Sequence, residues 1–501
     1  MGGVALHRMS ARCIMVLGTS SGAGKSWLTT ALCRHYARQG LKVAPFKAQN
    51  MSNNARVVAS AHGLGEIGSA QYFQALAAKA EPDVRMNPLL LKPEADTHSQ
   101  VVLMGQVDHA LSHTPWRGRS EKVWPFIAAA LDALMAENDV VVIEGAGSPA
   151  EINLMDSDIV NLRVARHANA QCLLVTDIDR GGAFAHLYGT WALLPPDDQK
   201  RIRGFVLNKF RGDASLLAPA PEMLQQRTGV PTVAVLPMWW EHGLPEEDGV
   251  FDDRSRTQGP VTQTVAVIAY PRISNLDEFQ PLKNIPGVRL LWVRSPADLA
   301  GLQATDWLIL PGSKHTSSDL RWLRQQGLDA AIARHAQQGG AVLGICGGLQ
   351  MLGEALIDTH GIDGNAPGLG LLPLVTQFAQ DKTVIRTHAR FAQVHGVWSA
   401  LSGVPVAGYE IHHGQTQGHS AMLAAGTVLH EVMPGLAWQS GDGQVLGTYL
   451  HGLFECPAVL HALFGAQAPT LDTVLEGLAD FIEKHIDGAV LRQLIQAPSG
   501  R

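Results

Sequence analysis

A phosphate-binding loop is predicted near the start of the chain. The segment Ile14–Ser26 reads IMVLGTSSGAGKS, an apolar strand followed by small residues and by Gly-Lys-Ser at the start of a helical stretch. Glycine lets backbone amides approach phosphate oxygens, and a helix N-terminus favours an anion. In this pattern the lysine reaches the terminal phosphates and the serine hydroxyl holds Mg²⁺. The predicted nucleotide contacts are Thr19, Gly22, Gly24, Lys25 and Ser26.

The loop departs from the usual pattern at one position, and two strand ends offer further polar groups. Thr19 stands where glycine is usual, and Gly18 lies one position earlier, so a purely structural glycine turn is the alternative. Glu144 follows the predicted strand 140–143 and is placed to bind Mg²⁺ directly or through water. Asn208 ends another strand, where it either reads the adenine edge or caps the strand.

A second segment has the pattern of a nucleophile elbow. Residues 341–352 read AVLGICGGLQML, which places Cys346 at a sharp turn from an apolar strand into a helix. Gly344 and Gly348 relieve crowding on either side of that turn. The helix N-terminus and a nearby base lower the pKa of such a thiol and favour the thiolate nucleophile. A buried, unreactive cysteine is the alternative.

A cysteine nucleophile needs a general base, and His451 is the predicted one. It follows the apolar strand 445–450 and precedes a glycine. Three other histidines are rivals for this role: His315, His412 and His413. After the strand 307–310, the Gly312 amide is placed to face a developing oxyanion together with the Gly347 amide. The alternative is that the residues after the strand 307–310 form an ordinary turn without a role in catalysis.

Composition indicates a globular protein of several domains. The 501 residues are 46% hydrophobic and 17% charged, an ordinary balance for such a protein. A net charge of -6 argues against a nucleic-acid surface, which needs a clustered basic excess. Five scattered cysteines predict neither a disulfide framework nor a metal site. There is no apolar signal core or bilayer-spanning run, so the reducing cytoplasm is the expected compartment.

Two α/β patterns follow one another along the chain. In the first half, apolar runs alternate with helical stretches and predict a doubly wound parallel sheet; the strand candidates are 13–17, 42–46, 140–143, 172–176 and 205–208. The second pattern has strand candidates at 264–269, 290–293, 307–310 and 341–345, and its later runs predict some antiparallel pairing. The predicted parts are a domain 1–240, a linker 241–262, a domain 263–460 and a C-terminal helical tail 461–501.

The second half resembles class I glutamine amidotransferase domains over about residues 264–455. The matching motifs are LPGSK (310–314), GICGGLQMLG (344–353) and YLHGLF (449–454). The resemblance implies that Cys346 attacks the glutamine side-chain amide, forms a thioester and releases ammonia, with His451 as its base. Most such domains have glutamate two residues after this histidine, but Leu453 stands there. The cobalamin branch of the family is similar in this respect, and the residue that orients His451 stays open.

The first half resembles dethiobiotin-synthetase-like ATP-dependent domains, whose phosphate loop shares the displaced glycine. This resemblance adds Lys47 as a further phosphate contact. Joined to an amidotransferase domain, the pattern is typical of corrinoid amidases. Six motifs narrow the resemblance to the cobyric acid synthase family: PFKAQNMSNN (45–54), GEIGSAQ (65–71), MNPLLLKP (86–93), EGAGSPAEINL (144–154), DIDRGGAF (177–184) and NKFRGD (208–213). Met155 stands where an arginine is expected.

The resemblance implies an enzyme that uses ATP, Mg²⁺ and glutamine to amidate the b, d, e and g carboxylates of adenosylcobyrinic a,c-diamide. Gln49, Asn50 and Asn53 are the expected corrinoid contacts, with loop capping as their alternative role. Rival functions are cobyrinic acid a,c-diamide synthesis, a CTP-synthase-like reaction, a partition ATPase, and a regulatory protein with an inactive glutaminase-like domain. A homo-oligomer is left open, and neither nucleic acid nor a membrane is an expected partner.

Overall fold

The structure is a computed structural model that describes residues 11–61, 63–95, 98–240, 242–245, 260–465 and 470–496. Most of the predicted linker 241–262 therefore lies outside the described residues, as do positions 466–469 and 497–501 of the predicted tail. Within the described ranges, no helix combines the length and the apolar character that crossing a membrane requires.

The first half alternates strands and helices, as its apolar runs predict. Its strands are β1 Arg12–Gly18, β2 Val43–Phe46, β3 Gln49–Met51, β4 Ala55–Ser60, β5 Gly63–Gly68, β6 Leu89–Ala95, β7 His98–Leu103, β8 Gln106–Val107, β9 Val140–Glu144, β10 Gln171–Asp177, β11 Ile202–Phe210 and β12 Thr232–Pro237. Its helices are α1 Lys25–Arg38, α2 Ser69–Ala77, α3 His109–Ser112, α4 Trp116–Glu137, α5 Leu162–His167, α6 Ala183–Leu193, α7 Pro196–Gln199 and α8 Ala220–Thr228.

The main sheet of this half is parallel and covered on both faces. Its strand order is β12-β11-β10-β1-β9-β2, and every neighbouring pair is parallel. Met15 and Leu17 of β1 belong to the apolar cluster on one face, and Ile14 and Val16 belong to the cluster on the other. The strand order reverses at β1, and the carboxyl edge at such a reversal is where doubly wound folds bind ligands.

Two smaller sheets of the first half reach toward the second half. They are the four-stranded sheet β3-β6-β7-β8 and the hairpin β4-β5. Glu66 of this hairpin is buried between Lys92 and Lys382, and Lys382 Nζ lies 2.5 Å from its carboxylate. Lys314 of the second half pairs with Glu94 at 2.8 Å. The interface between the halves therefore includes a buried ion pair and a partly exposed one.

The second half begins with alternating strands and helices and ends with paired strands. Its strands are β13 Gln263–Ile268, β14 Ile273–Ser274, β15 Val288–Val293, β16 Trp307–Leu310, β17 Gly312–Ser313, β18 Ala341–Ile345, β19 Ala355–Ile357, β20 Ala366–Pro367, β21 Leu374–Arg390, β22 Pro405–Gly418, β23 Leu429–Met433, β24 Ala437–Ser440 and β25 Val445–Thr448. Its helices are α9 Gln280–Lys283, α10 Thr316–Gln325, α11 Leu328–Gln337, α12 Gly347–Leu352, α13 Ser420–Ala424, α14 Pro457–Phe464, α15 Leu471–His485 and α16 Gly488–Leu494.

The main sheet of the second half is mixed. Its order is β15-β13-β16-β18-β25-β24-β23. The first five strands pair in parallel, and β24 and β23 add antiparallel pairs at one edge. The long strands β21 and β22 also pair antiparallel. The expected antiparallel component is confirmed, and the parallel centre places the ends of β16, β18 and β25 side by side.

The predicted C-terminal helix is present as α15, and it packs on the first half of the chain. Arg34 of α1 pairs with Asp472 at 2.7 Å and with Glu476 at 3.2 Å. The apolar side chains that α15 contributes to the α1 face of the core are Leu475, Leu478 and Ile482. The ATP-type half is thus assembled from residues at both ends of the described chain.

Candidate active sites

The phosphate loop connects β1 to α1, and its lysine lies folded against the loop. Lys25 Nζ donates to the Ser20 carbonyl at 2.9 Å and to the Gly147 carbonyl at 3.1 Å. A Cβ atom at Gly18 would lie 2.9 Å from Lys25 Nζ. Glycine at position 18 therefore leaves room for the lysine, which gives the displaced glycine of this loop a steric reason.

Glu144, at the end of β9, is the buried carboxylate of this site. Ser26 Oγ donates to Glu144 Oε1 at 2.7 Å, and Lys47 Nζ donates to the same oxygen at 2.9 Å. From α2, Gln74 and Gln71 donate to Oε2 at 2.5 Å and 3.5 Å. Burial alone raises the pKa of Glu144, but the Lys47 charge and these hydrogen bonds hold the pKa below its ordinary value. The carboxylate is therefore ionised and able to bind a cation.

Asn208 packs against the turn that starts α1. Its Nδ2 donates to the Ala23 carbonyl at 3.0 Å. Gly24 has a φ of 101°, and a Cβ atom there would collide with the Asn208 amide. Both facts require glycine at this position, because a side chain would be strained by the backbone and would displace Asn208. The asparagine thus lies at the phosphate loop and hydrogen-bonds it, and its contact with the adenine edge stays a prediction.

Two further loop residues form hydrogen bonds with neighbouring strands. Thr19 Oγ1 donates to Thr176 Oγ1 of β10 at 2.9 Å. The Gly22 carbonyl accepts from Lys209 Nζ of β11 at 2.9 Å. The loop is therefore held from β10 and β11 while Lys25 holds it from within. The structure brings all predicted nucleotide contacts together at one edge of the sheet.

Of the three predicted substrate contacts, Gln49 and Asn50 lie in β3 and Asn53 follows it. Asn50 Nδ2 donates to Gln71 Oε1 at 3.1 Å, and Gln71 itself contacts Glu144. Among the described residues, no hydrogen-bond partner is present for the buried oxygens Gln49 Oε1 and Asn53 Oδ1. An unpaired buried amide oxygen is unfavourable, so both oxygens are suited to accept a hydrogen bond from a ligand.

Cys346 occupies a strained turn between β18 and α12. Its φ is 50° and its ψ is -104°, a backbone conformation that is rare outside glycine. A Cβ atom at Gly348 would collide with the Leu310 carbonyl, so the helix after the turn packs too closely for a side chain there. Cys346 Sγ lies 3.7 Å from the Ile411 carbonyl oxygen, and the residue is 5% exposed. This geometry confirms the elbow that the sequence predicts.

His451 is buried beside the cysteine and is held by a glutamate. The charge of Cys346 acts on its imidazole, and its Nδ1 lies 3.1 Å from Glu278 Oε1. Glu278 Oε2 accepts from the Gly452 amide at 3.0 Å. Burial lowers the pKa of His451, but the charges of Glu278 and Cys346 outweigh it and raise the pKa to about 10. The arrangement therefore favours an imidazolium, which suits a group that must pass a proton to a leaving nitrogen.

Glu278 is the residue that sequence reasoning missed. It lies in the short turn Leu276–Phe279, 173 positions before the histidine, whereas the related domains mentioned above place an acid two residues after it. The carboxylate is fully buried, and its neighbours in the chain are Asp277 and Phe279. This mostly polar stretch carries no local signal that could have pointed to it, because only the fold brings the glutamate to His451.

We expect Glu278→Gln to lower kcat for glutamine hydrolysis by about 10²-fold, as the imidazole loses the group that orients it. Loss of the negative charge also lowers the pKa of His451. The imidazolium then loses its proton at lower pH, so the alkaline limb of the kcat/KM profile moves to lower pH. Glutamate release measured across pH checks both effects. Glu431→Gln is the control, since Glu431 is exposed and accepts from the Gly435 amide instead. An unmoved alkaline limb in Glu278→Gln contradicts the assignment.

The two predicted oxyanion residues lie next to the catalytic pair. Gly347 begins α12 directly after Cys346, and a Cβ atom on it would lie 2.7 Å from the Ser313 amide nitrogen. A Cβ atom on Gly312 would lie 2.9 Å from His451 Cε1. Both positions exclude a side chain for lack of space. The role of their amides as an oxyanion hole stays a prediction.

The three rival histidines have other partners. His315 Nδ1 lies 3.4 Å from an Asp363 carboxylate oxygen. His412 Nδ1 and His413 Nδ1 lie 2.8 Å and 3.2 Å from backbone carbonyl oxygens. His451, in contrast, lies where the charge of Cys346 acts on its imidazole and is bonded to Glu278 through Nδ1.

Comparison with known proteins finds a matching domain family for each half of the chain. A model of the CobQ/CobB/MinD/ParA nucleotide binding domain matches residues 14–242, and a model of the CobB/CobQ-like glutamine amidotransferase domain matches residues 264–459. Proteins named cobyric acid synthase align along nearly the whole chain. The one from Variovorax paradoxus (strain S110) is 76% identical over 97% of this chain and 100% of its own length. Those from Polaromonas naphthalenivorans (strain CJ2) and Acidovorax ebreus (strain TPSY) are 75% and 74% identical, over 97% of this chain and 100% and 99% of their own lengths.

These findings confirm the predicted two-part α/β architecture, with an ATP-type nucleotide-binding half and a glutamine amidotransferase half. They also agree with the resemblance drawn from the motifs of the first half. The chain belongs to the cobyric acid synthase family of cobalamin biosynthesis, and it is a glutamine-dependent amidoligase.

Proposed function

We propose that this chain amidates the b, d, e and g carboxylates of adenosylcobyrinic a,c-diamide, using ATP and the amide nitrogen of glutamine. The observation that carries the proposal is the presence of two complete and separate sites in one chain. The second half holds Cys346 with its base and orienting glutamate, and the first half holds Glu144 beside the phosphate loop. One site suits ammonia release and the other suits carboxylate activation.

The proposed first step is glutamine hydrolysis at Cys346. The thiolate attacks the side-chain amide carbon, and the resulting oxyanion faces the amides of Gly312 and Gly347. His451 gives its proton to the leaving nitrogen, and ammonia departs from a thioester. Water then attacks the thioester with His451 as general base and releases glutamate. Glu278 holds the imidazole through Nδ1, which leaves the other ring nitrogen for these proton transfers.

The proposed second step is activation of a corrinoid carboxylate on the first half. A carboxylate oxygen attacks the γ-phosphate of ATP, which gives an acyl phosphate and ADP, and ammonia then displaces inorganic phosphate to give the amide. Lys25 and Lys47 are the cations placed to stabilise charge on the transferred group. Catalysis of this kind depends on positioning and charge stabilisation, and the loop contacts to β10 and β11 supply the positioning.

Mg²⁺ fits the proposed nucleotide site. Ser26 Oγ and Glu144 Oε1 lie 2.7 Å apart, and Mg²⁺ takes one or two protein oxygens together with substrate phosphates and water. Glu144 is ionised, as such a ligand must be. Bound there, the metal would neutralise charge on the β- and γ-phosphates.

The corrinoid is proposed to lie over β3, within reach of Gln49, Asn50 and Asn53. The unpaired buried oxygens of Gln49 and Asn53 support this, because a ligand rich in amides offers matching donors. A site that serves several carboxylates in turn must release and rebind the ring, so its contacts must be polar and adaptable. Acceptor side chains on a strand edge meet that need.

Mass spectrometry of the corrinoid tests the proposal. The purified protein is incubated with adenosylcobyrinic a,c-diamide, Mg-ATP and glutamine, and we expect stepwise replacement of four OH groups by NH₂. If the diamide stays unchanged while cobyrinic acid gains two amides, the chain is an a,c-diamide synthase. If neither corrinoid reacts while glutamine is hydrolysed, the corrinoid assignment is wrong and the glutaminase assignment stands.

A further inference from the structure

Arg56, on the hairpin β4-β5 of the first half, inserts its guanidinium into the second half. Its side chain is 1% exposed. Nη2 donates to Asp277 Oδ2 and, at 2.5 Å, to Glu455 Oε1, and Nη1 donates to the Tyr409 hydroxyl. A buried charge is tolerated only when it is paired and hydrogen-bonded. These three partners therefore fix the guanidinium at the boundary between the halves.

Each partner of Arg56 adjoins a different side of the catalytic imidazole. Asp277 directly precedes Glu278, which holds His451 Nδ1. The Tyr409 ring stacks on the His451 ring with centroids 5.3 Å apart, and the two residues exchange backbone hydrogen bonds of 2.9 Å and 3.2 Å. The Glu455 amide closes the turn after the histidine with a 3.0 Å hydrogen bond. One side chain of the ATP-binding half thus contacts three groups that surround the base of the other half.

The same hairpin region holds the backbone of the segment that carries Glu278. The Ala55 amide donates to Asn275 Oδ1 at 2.9 Å, and the Leu276 amide donates to Asn54 Oδ1 at 3.1 Å. The Asn54 carbonyl accepts from the Ser69 amide, the first of α2, at 3.1 Å. Helix α2 also carries Gln71 and Gln74, which contact Glu144 of the nucleotide site. The segment that carries Glu278 is therefore connected by hydrogen bonds to the nucleotide site.

We propose that Arg56 is a positioning residue for glutamine hydrolysis, contributed by the ATP-binding half. It fixes Asp277, Tyr409 and Glu455 and thereby the orientation of His451. Glutamine hydrolysis then requires the two halves to be docked, which keeps ammonia release next to the site that consumes ammonia. This inference rests on the proposed roles of Cys346 and His451.

The charges around the imidazole give the proposal a measurable signature. The titratable groups that face His451 are Cys346, Asp277, Glu278, Tyr409, Glu410 and Glu455, and Tyr72 faces Arg56. Arg56 is the cation that pairs with two of these carboxylates. Without it, Asp277 and Glu455 stand unpaired beside Glu278, and loss of a positive charge raises the pKa of every acid and base nearby.

The test measures glutamine hydrolysis across pH in full-length Arg56→Met and Arg56→Lys. We expect Arg56→Met to lower kcat on the order of tenfold, the size typical of a residue that acts through its neighbours, and to move the acid limb of kcat/KM to higher pH. Lysine keeps the charge but lacks the planar fork that reaches several acceptors. Arg56→Lys is therefore expected to lower kcat while leaving the acid limb in place.

Arg386→Met is the matched control. Arg386 crosses the same interface, where it donates to the Val57 carbonyl at 3.1 Å and to Glu81 at 3.1 Å rather than to Asp277 or Glu455. We expect its glutaminase kcat and pH profile to equal those of the wild type. Ammonia-dependent amidation by each variant reports on the folding of the first half, because it uses that half alone.

The following results contradict the role of Arg56 or the role of Cys346 on which it rests. Wild-type kcat and pH profile in Arg56→Met, or an equal loss in Arg386→Met, overturns the inference. If Arg56→Met does not fold, wild-type kcat in Arg56→Lys overturns it instead. If Cys346→Ala still hydrolyses glutamine, the failure lies in the proposed nucleophile and not in Arg56.

Discussion

Replacing Cys346 with alanine is expected to abolish glutamine-dependent amidation and to leave ammonia-dependent amidation intact. The sulfur is the atom that forms the thioester, and removing the nucleophile of a catalytic triad lowers kcat by about 10⁶-fold. The elbow itself is retained, because its shape comes from Gly344 and Gly348 and from the close packing of α12 on β16. Added ammonia bypasses the thioester, since it enters the reaction after glutamine hydrolysis.

The measurement is amide formation on the corrinoid with glutamine and with an ammonium salt as alternative nitrogen sources. Cys456→Ala serves as the control, since Cys456 has an intermediate exposure and its sulfur lies 3.6 Å from the Pro405 carbonyl oxygen rather than next to His451. That control is expected to use both nitrogen sources normally. Glutamine use that survives in Cys346→Ala assigns the nucleophile to a different residue.

Replacing Glu144 with glutamine is expected to have the complementary effect, with amidation lost from either nitrogen source. The substitution removes the ionised oxygen that faces Ser26 at 2.7 Å and Lys47 at 2.9 Å. A metal that stabilises a transferring phosphoryl group contributes several kcal/mol, so we expect kcat for amidation to fall by about 10³-fold. Ammonia does not rescue this variant, because the carboxylate of the substrate is no longer activated.

Two measurements, ¹⁸O transfer and glutamine hydrolysis, together separate this effect from misfolding. In Glu144→Gln, transfer of ¹⁸O from the labelled corrinoid carboxylate to phosphate falls with amidation, whereas basal glutamine hydrolysis at Cys346 continues. Gln74→Glu is an informative partner variant, since it adds a carboxylate at the other oxygen of Glu144, where Gln74 donates at 2.5 Å. Full amidation by Glu144→Gln at saturating Mg²⁺ contradicts the assignment of Glu144 as a ligand in the proposed metal site.

The features predicted from sequence are those that short segments encode. The phosphate loop and the cysteine elbow each consist of a strand, a turn with glycines, and a helix, and the glycines are required by contacts within a few residues or with an adjacent strand. Gly24 and Gly348 illustrate this, since a side chain at either would collide with a neighbour. Strand-forming apolar runs in a parallel sheet are equally local, because both faces are buried.

The features that were missed depend on residues far apart in the chain. Glu278 reaches His451 only because the turn after β14 folds back toward the end of β25. Arg56 meets Asp277 across 221 positions, and α15 meets α1 across more than 430. No local pattern records such pairings, and a single buried charge looks the same in sequence whether its partner is a neighbour or a distant strand.

The packing of α15 on α1 has a consequence for how the chain matures during synthesis. Arg34 and the apolar face of α1 find their partners in a helix that is made only after the whole amidotransferase half. Nascent domains generally fold in the order in which they emerge from the ribosome. Here the earlier half must keep part of its core open while the later half is completed. The amidotransferase is then the first part to reach its final form, and the nucleotide-binding half exposes the apolar face of α1 in the meantime.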